Sequence, residues 1–121
     1  KQLRGIGSGF AKMIVNYRTK LGGFYCKEQL LEVYHFPEET FRKIEHQLVV
    51  DTTLITPIFL NTADINQLKR HPYIRYFQAK SLYDNRISKK DKRYNSLKDI
   101  VLDKDVTWEF LRRIAPYLSF R

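Results

Sequence analysis

Acidic residues are missing from the first 27 positions of this chain. Lys1, Arg4, Lys12, Arg18, Lys20 and Lys27 stand there with no acid among them. Over its 121 residues the chain sets 22 Lys and Arg against 13 Asp and Glu, for a net charge of +9. This balance points to a polyanionic partner, nucleic acid first and an anionic membrane surface second. The bland alternative is a solvated face that only aids solubility. Cysteine is nearly absent: Cys26 stands alone, which excludes an intrachain disulfide and speaks against a cysteine-based metal site. It leaves the compartment open. The sequence shows no signal peptide and no run of about 18 apolar residues. Three histidines, at 35, 46 and 71, are too scattered for a metal site, and no cofactor is expected. No paired carboxylates and no Ser/His/Asp set stand out, so neither catalysis nor a small-molecule substrate is expected. Glycine is scarce and clustered, with all five between residues 5 and 23.

What is present is enough apolar material for packed cores, 43% of the chain, and no stretch reads as disordered. The length fits one domain or two very small ones. Phe10, Ala11, Met13, Ile14, Tyr17 and Leu21 recur at helical spacing and predict a helix over residues 8–20, ended by Gly22-Gly23. A short helix is expected over 27–34, and a third opened by Pro37. Residues 49–58, β-branched and containing Pro57, read as an extended linker or a short strand pair. Helices follow at about 62–70, capped by Asn61 or Thr62, and at 75–87, 95–102 and 106–119. The fold class is all-α.

The second half repeats the first. A shift of 68 residues lays Ala79 on Ala11 and Arg86 on Arg18. Two extra residues in the Lys89–Arg93 loop raise the shift to 70, which lays Tyr94 on Phe24, Ile100 on Leu30, Leu111 on Phe41 and Ile114 on Ile44. Apolar positions fall on apolar positions, as in two copies of one helical module. The division expected is a first module at 1–51, a linker at 52–58 and a second module at 59–121. In this register Leu60 to Leu68 is the first helix of the second copy, and its counterpart is expected ahead of Lys1.

The stretch Arg4-Gly5-Ile6-Gly7-Ser8-Gly9 carries the chemistry. A dinucleotide fingerprint needs a third small residue where Phe10 stands, a preceding strand and a following acid. None is in place, and no G-K-[ST] follows for a P-loop. What remains is a turn between two helices, with Gly5 and Gly7 free to take positive φ. Its N–H groups and those opening the next helix converge on an anion, with the helix dipole behind them. Lys12, one turn on, reaches the same anion, and Arg4 flanks the turn.

These residues resemble a known family. Gly5-Ile6-Gly7, Ala11, Ile14, Tyr17-Arg18, Gly22, Phe24, Leu30 and Val33 are similar to the helix-hairpin-helix repeat of competence-type DNA receptors, with Arg4 replacing the usual proline. The likeness covers almost the whole chain, counting a degenerate second copy. It implies modules of two hairpins and five short helices, here with the first helix of module one truncated. It also implies a glycine hairpin that binds the phosphate backbone of double-stranded DNA without reading sequence. Arg4, Gly5, Ile6, Gly7, Ser8, Gly9 and Lys12 are the site residues, with no catalytic and no metal-binding residue. The family further implies bacterial DNA uptake at the cell envelope or periplasm, with the cytoplasm as the alternative.

The likeness is uneven. The hairpin Tyr34–Glu39 lacks glycine, places Glu38 and Glu39 where phosphate would sit, and reads as structural. In the second copy Tyr73-Ile74-Arg75 replaces Gly-Ile-Gly, and such residues resist positive φ. Lys69, Arg70, Arg75 and Lys80, with Lys1, are possible secondary phosphate contacts. Asp103–Thr107 is again acidic and structural. His71-Pro72 shapes its turn. Arg18 and Arg86 read as helix-end salt bridges or caps, with DNA contact as the alternative. The aromatics Phe10, Tyr17, Phe24, Phe41, Tyr94, Trp108, Phe110 and Tyr117 mostly fall at core spacing, and core packing is favoured over base stacking for Tyr73 and Tyr76. Three functions are therefore weighed: a non-enzymatic, non-sequence-specific DNA-binding module; a structural or protein-interaction module; and the DNA-positioning fragment of a larger repair or recombination protein. Oligomeric state is left open.

Overall fold

The computed structural model describes residues 7–121. The chain divides into two compact units, Lys1–Ile55 and Thr56–Arg121, and the division falls after Ile55. Each is built of short helices and single turns, and the fold is all-α apart from one two-residue ladder.

The first unit opens with α1, Ser8–Leu21. Its Phe10, Met13, Ile14 and Tyr17 pack on a buried cluster of Leu30, Val33, Phe36, Phe41 and Ile44. Gly22 and Gly23 end it in the left-handed region, with φ of 85° and 112°. Their amides both donate to the carbonyl of Arg18, at 3.0 and 2.9 Å, which satisfies the carbonyls a helix end leaves open. The expected second helix is a 3₁₀ turn, Lys27–Glu32. The buried Gln29 holds its start, accepting from the amides of Tyr25 at 2.6 Å and Cys26 at 3.2 Å. Pro37 precedes α2, Glu38–Ile44.

The linker resolves into a 3₁₀ turn, Thr52–Leu54, started by Asp51, whose carboxylate accepts the Thr53 amide at 3.0 Å. The strand expected in it is β1, Ile58–Phe59, and its partner is distant. β1 pairs in parallel with β2, Leu118–Ser119.

In the second unit α3 is only Ile65–Leu68, and its cap is Asp64 instead of Asn61 or Thr62. Asn61 is engaged elsewhere. Its amide group donates to the carbonyl of Tyr94 at 2.8 Å and accepts the Tyr94 N–H at 2.6 Å. Next come α4, Tyr76–Ser88, and a 3₁₀ turn at Leu97–Asp99 where a helix over 95–102 was expected. The last expected helix is cut into α5, Trp108–Ile114, a 3₁₀ turn at Ala115–Tyr117, and β2. Pro116, with no N–H to give, stands at that break. Thr107 caps α5, accepting from the Phe110 amide at 3.1 Å.

Leu60, Leu68, Ala79, Leu82, Tyr94, Leu111, Ile114 and Tyr117 are buried in the second unit. Trp108, expected in the core, is exposed. Burial pushes the Tyr94 phenol up to about 12, and its hydroxyl donates to the Leu82 carbonyl at 2.8 Å.

Candidate nucleic-acid interface

The site is the start of α1. Gly7 is its N-cap residue, and its carbonyl accepts the Ala11 amide at 2.9 Å, closing the first turn. The amides of Ser8, Gly9 and Phe10 precede that bond, and helical geometry gives them no carbonyl of their own. No side chain caps this end and the first turn holds no acid. Gly7, Ser8, Gly9 and Lys12 are all exposed. The arrangement is a row of outward amides at the positive end of a helix, with a cation one turn on. That is an anion-binding geometry.

One expectation is corrected. Gly7 does not use positive φ. It lies at φ −80°, ψ 171°, extended backbone open to any residue. A Cβ built on Gly7 or Gly9 would meet nothing within 4 Å, whereas one on Gly23 would touch the Ile55 backbone at 3.4 Å. Among the described residues, backbone geometry therefore calls for glycine at 22 and 23 but not at 7 and 9. Lys1, Arg4, Gly5 and Ile6 lie outside the described residues.

The starts of α2 and α5 are closed to anions by acids. Glu38 and Glu39 occupy the first turn of α2, and Arg42 ties Glu38 at 3.1 Å. The hairpin before α5 is filled by Asp103, whose carboxylate accepts the amides of Asp105 at 2.8 Å and Val106 at 2.6 Å. The Ser81 hydroxyl and these amides hold the Asp103 carboxyl below its ordinary range. At α4, Gln78 accepts the Arg75 amide at 2.9 Å. No side chain among the described residues caps its first-turn amides and no acid stands there, so this start differs from α1 in its bulky Tyr76 and Phe77 where α1 has Ser8 and Gly9.

The secondary residues fare unevenly. Arg70 and Arg75 are exposed. Lys80 is paired with Asp84 at 2.7 Å, which weakens its case as a phosphate contact. Tyr73 and Ile74 are buried, and His71 shapes the turn by accepting the Tyr73 amide at 3.0 Å. Tyr76 is exposed, against the expectation of core packing, and lies beneath Lys69, whose Nζ is 5.6 Å from the ring.

Among the described residues Arg86 makes no salt bridge, and it does not cap its own helix. It is buried and donates to the carbonyls of Leu60 at 2.8 Å and Ala63 at 3.1 Å. The sequence reading missed this anchor, as it missed Gln29 and Asn61. Each serves backbone that is distant in sequence or hidden by burial.

Among the described residues no cluster of His, Cys, Asp or Glu could hold a metal ion, and no helix is long and apolar enough to cross a membrane. Burial raises the Cys26 thiol above its ordinary value, which lowers its thiolate character.

No curated protein and no solved structure matches the chain. A family model for the helix-hairpin-helix motif matches residues 1–49, which contain the candidate interface and support the helix-hairpin-helix family for this part of the chain.

Proposed function

We infer that the chain binds double-stranded DNA through its phosphate backbone, without reading sequence, in the manner of a competence-type receptor. The observation that carries this reading is the start of α1. Its glycines answer no need of fold or packing among the described residues. Glycine there serves a close approach from outside, where a side chain would hold a phosphate away from the amides. Ser8 adds a hydroxyl and Lys12 a charge, and the reading assigns Arg4, Gly5 and Ile6 to the same site from their place in the sequence motif. Arg70, Arg75 and Lys1 add nonspecific attraction. A helix-hairpin-helix match over these residues supports the reading.

The same reading takes the two units as copies of one module, of which only the first keeps the amide cradle. Matching hydrogen bonds support this. Gln29 accepts from the amides of Tyr25 and Cys26, and Asp99, 70 residues on, accepts from those of Asn95 and Ser96 at 2.7 and 3.3 Å.

The test is a titration of unrelated duplexes at two salt concentrations. Affinity falls steeply with salt and differs little between sequences. Absence of binding at low salt overturns the proposal.

A further inference from the structure

Residues 65–83 of the second unit contain no acid and carry Lys69, Arg70, Arg75 and Lys80. Between Arg75 and Lys80 stand Tyr76 and Phe77, 47% and 65% exposed. Their ring centroids are 5.3 Å apart and their planes meet at 72°, so neither ring stacks on the other. The Lys69 ammonium lies 5.6 Å from the centre of the Tyr76 ring, and Lys69, Arg70 and Arg75 are all exposed.

The core does not account for these rings. The buried residues of α4 are Ala79, Leu82 and Arg86, and an aromatic is a poorer helix former than alanine. The acids in contact with α4 are engaged. Asp84 pairs with Lys80 at 2.7 Å. The Asp103 carboxylate accepts from the Ser81 hydroxyl at 2.5 Å and from two backbone amides. Among the described residues no acid pairs with Lys69, Arg70 or Arg75. Surplus positive charge therefore surrounds two uncovered rings.

We propose that Tyr76 and Phe77 stack on the unpaired bases of a single-stranded nucleic acid whose phosphates meet Lys69, Arg70 and Arg75. This rests on the reading of the chain as a nucleic-acid binder. The cations complement the phosphates, and the rings complement any base that turns a face outward. A duplex keeps those faces inside its own stack, so the rings select the single strand. Under the shift of 68, Tyr76 and Phe77 fall on Ser8 and Gly9. At one place in the module the first unit presents bare amides, suited to the phosphates of a duplex. The second unit presents rings there, suited to bases that only an unpaired strand exposes.

The experiment measures fluorescence anisotropy of the full chain with two labelled DNA strands of about 12 nucleotides, one carrying its bases and one abasic. The strand with bases binds at least about fivefold more tightly than the abasic one. Tyr76→Leu with Phe77→Leu keeps the helix and its apolar bulk but removes the rings. It erases the preference and leaves duplex affinity unchanged, while Phe77→Tyr retains both. Equal affinity of the parent for the two strands overturns the stacking, and a preference that survives the double leucine variant overturns its assignment to this pair. Duplex binding without the preference defeats this proposal alone; the preference without duplex binding defeats the duplex reading alone. If the chain self-associates and the leucine variant does not, with no preference for bases, the patch meets a second copy and the proposal is wrong.

Discussion

Replacing Gly7 by valine separates binding from folding. Gly7 sits at a φ and ψ that valine adopts freely, and its Cβ would enter open space. Valine is a poorer N-cap than glycine by up to about 1 kcal/mol, and loss of glycine's freedom in the unfolded chain returns about 0.4–1 kcal/mol. The two nearly cancel, so the melting temperature moves by less than about 4 °C. Binding is another matter. Two methyl groups now stand beside the amides of Ser8 and Gly9, and one charge-assisted amide-phosphate bond is worth about 1.5–3 kcal/mol. Duplex affinity, read by fluorescence anisotropy at low salt, falls roughly 10- to 150-fold. Gly23→Ala is the opposite control. At φ 112°, with a Cβ 3.4 Å from Ile55 Cα, it costs about 2 kcal/mol and roughly 10 °C in melting temperature. In the cold, where the protein is still folded, it binds DNA as the parent does. A Gly7→Val protein that binds like the parent, or that loses binding only as it loses its fold, refutes the reasoning.

Lys12→Glu weakens binding on every duplex alike and lowers the slope of log K against log salt by about 1; an unchanged slope removes Lys12 from the interface. Arg86→Ala strands two carbonyls in the second unit and costs about 3 kcal/mol, visible in urea unfolding, while the exposed Arg18→Ala costs under about 0.5 kcal/mol. The Tyr94 phenol, raised to about 12 in the folded state against about 10 unfolded, favours the fold fully below pH 10. Its contribution drains away as pH climbs toward 12, so stability declines over that window, and Tyr94→Phe flattens the decline. Tyr94→Phe also forfeits the bond to the Leu82 carbonyl, about 1 kcal/mol near neutral pH, read as a lower urea midpoint.

The sequence carried the helix class, the two long helices and the glycine stretch. α1 and α4 were legible because their apolar spacing runs for three turns or more, long enough to outweigh noise. The shorter elements were not, because a three-residue turn such as Leu97–Asp99 has no period to read. Its place is set by Asp99 capturing backbone amides at its own start. β1 was half legible: the β-branched run marked extended chain, but the partner lies at the far end of the second unit. The cap at Asp64 was missed because Asn61, an equally good capping residue, is taken by Tyr94. At the candidate interface spacing singled out Gly7, yet the positive φ expected for it is not what the backbone adopts. The spacing marks the position; only the backbone angles show that, among the described residues, neither strain nor packing calls for glycine there.

The ladder between β1 and β2 sets the order in which the chain can fold. It makes the second unit's first strand wait for its last residues, and Asn61 bonds to Phe120 across 59 residues. During synthesis the described elements of the first unit, within residues 7–55, emerge before the second unit begins. Ile58–Leu68 must remain unclosed until residue 119 has left the ribosome. Contacts spanning such separations form late and slowly. The unit bearing the open amides is thus the one equipped to be finished first, while its companion is still being made.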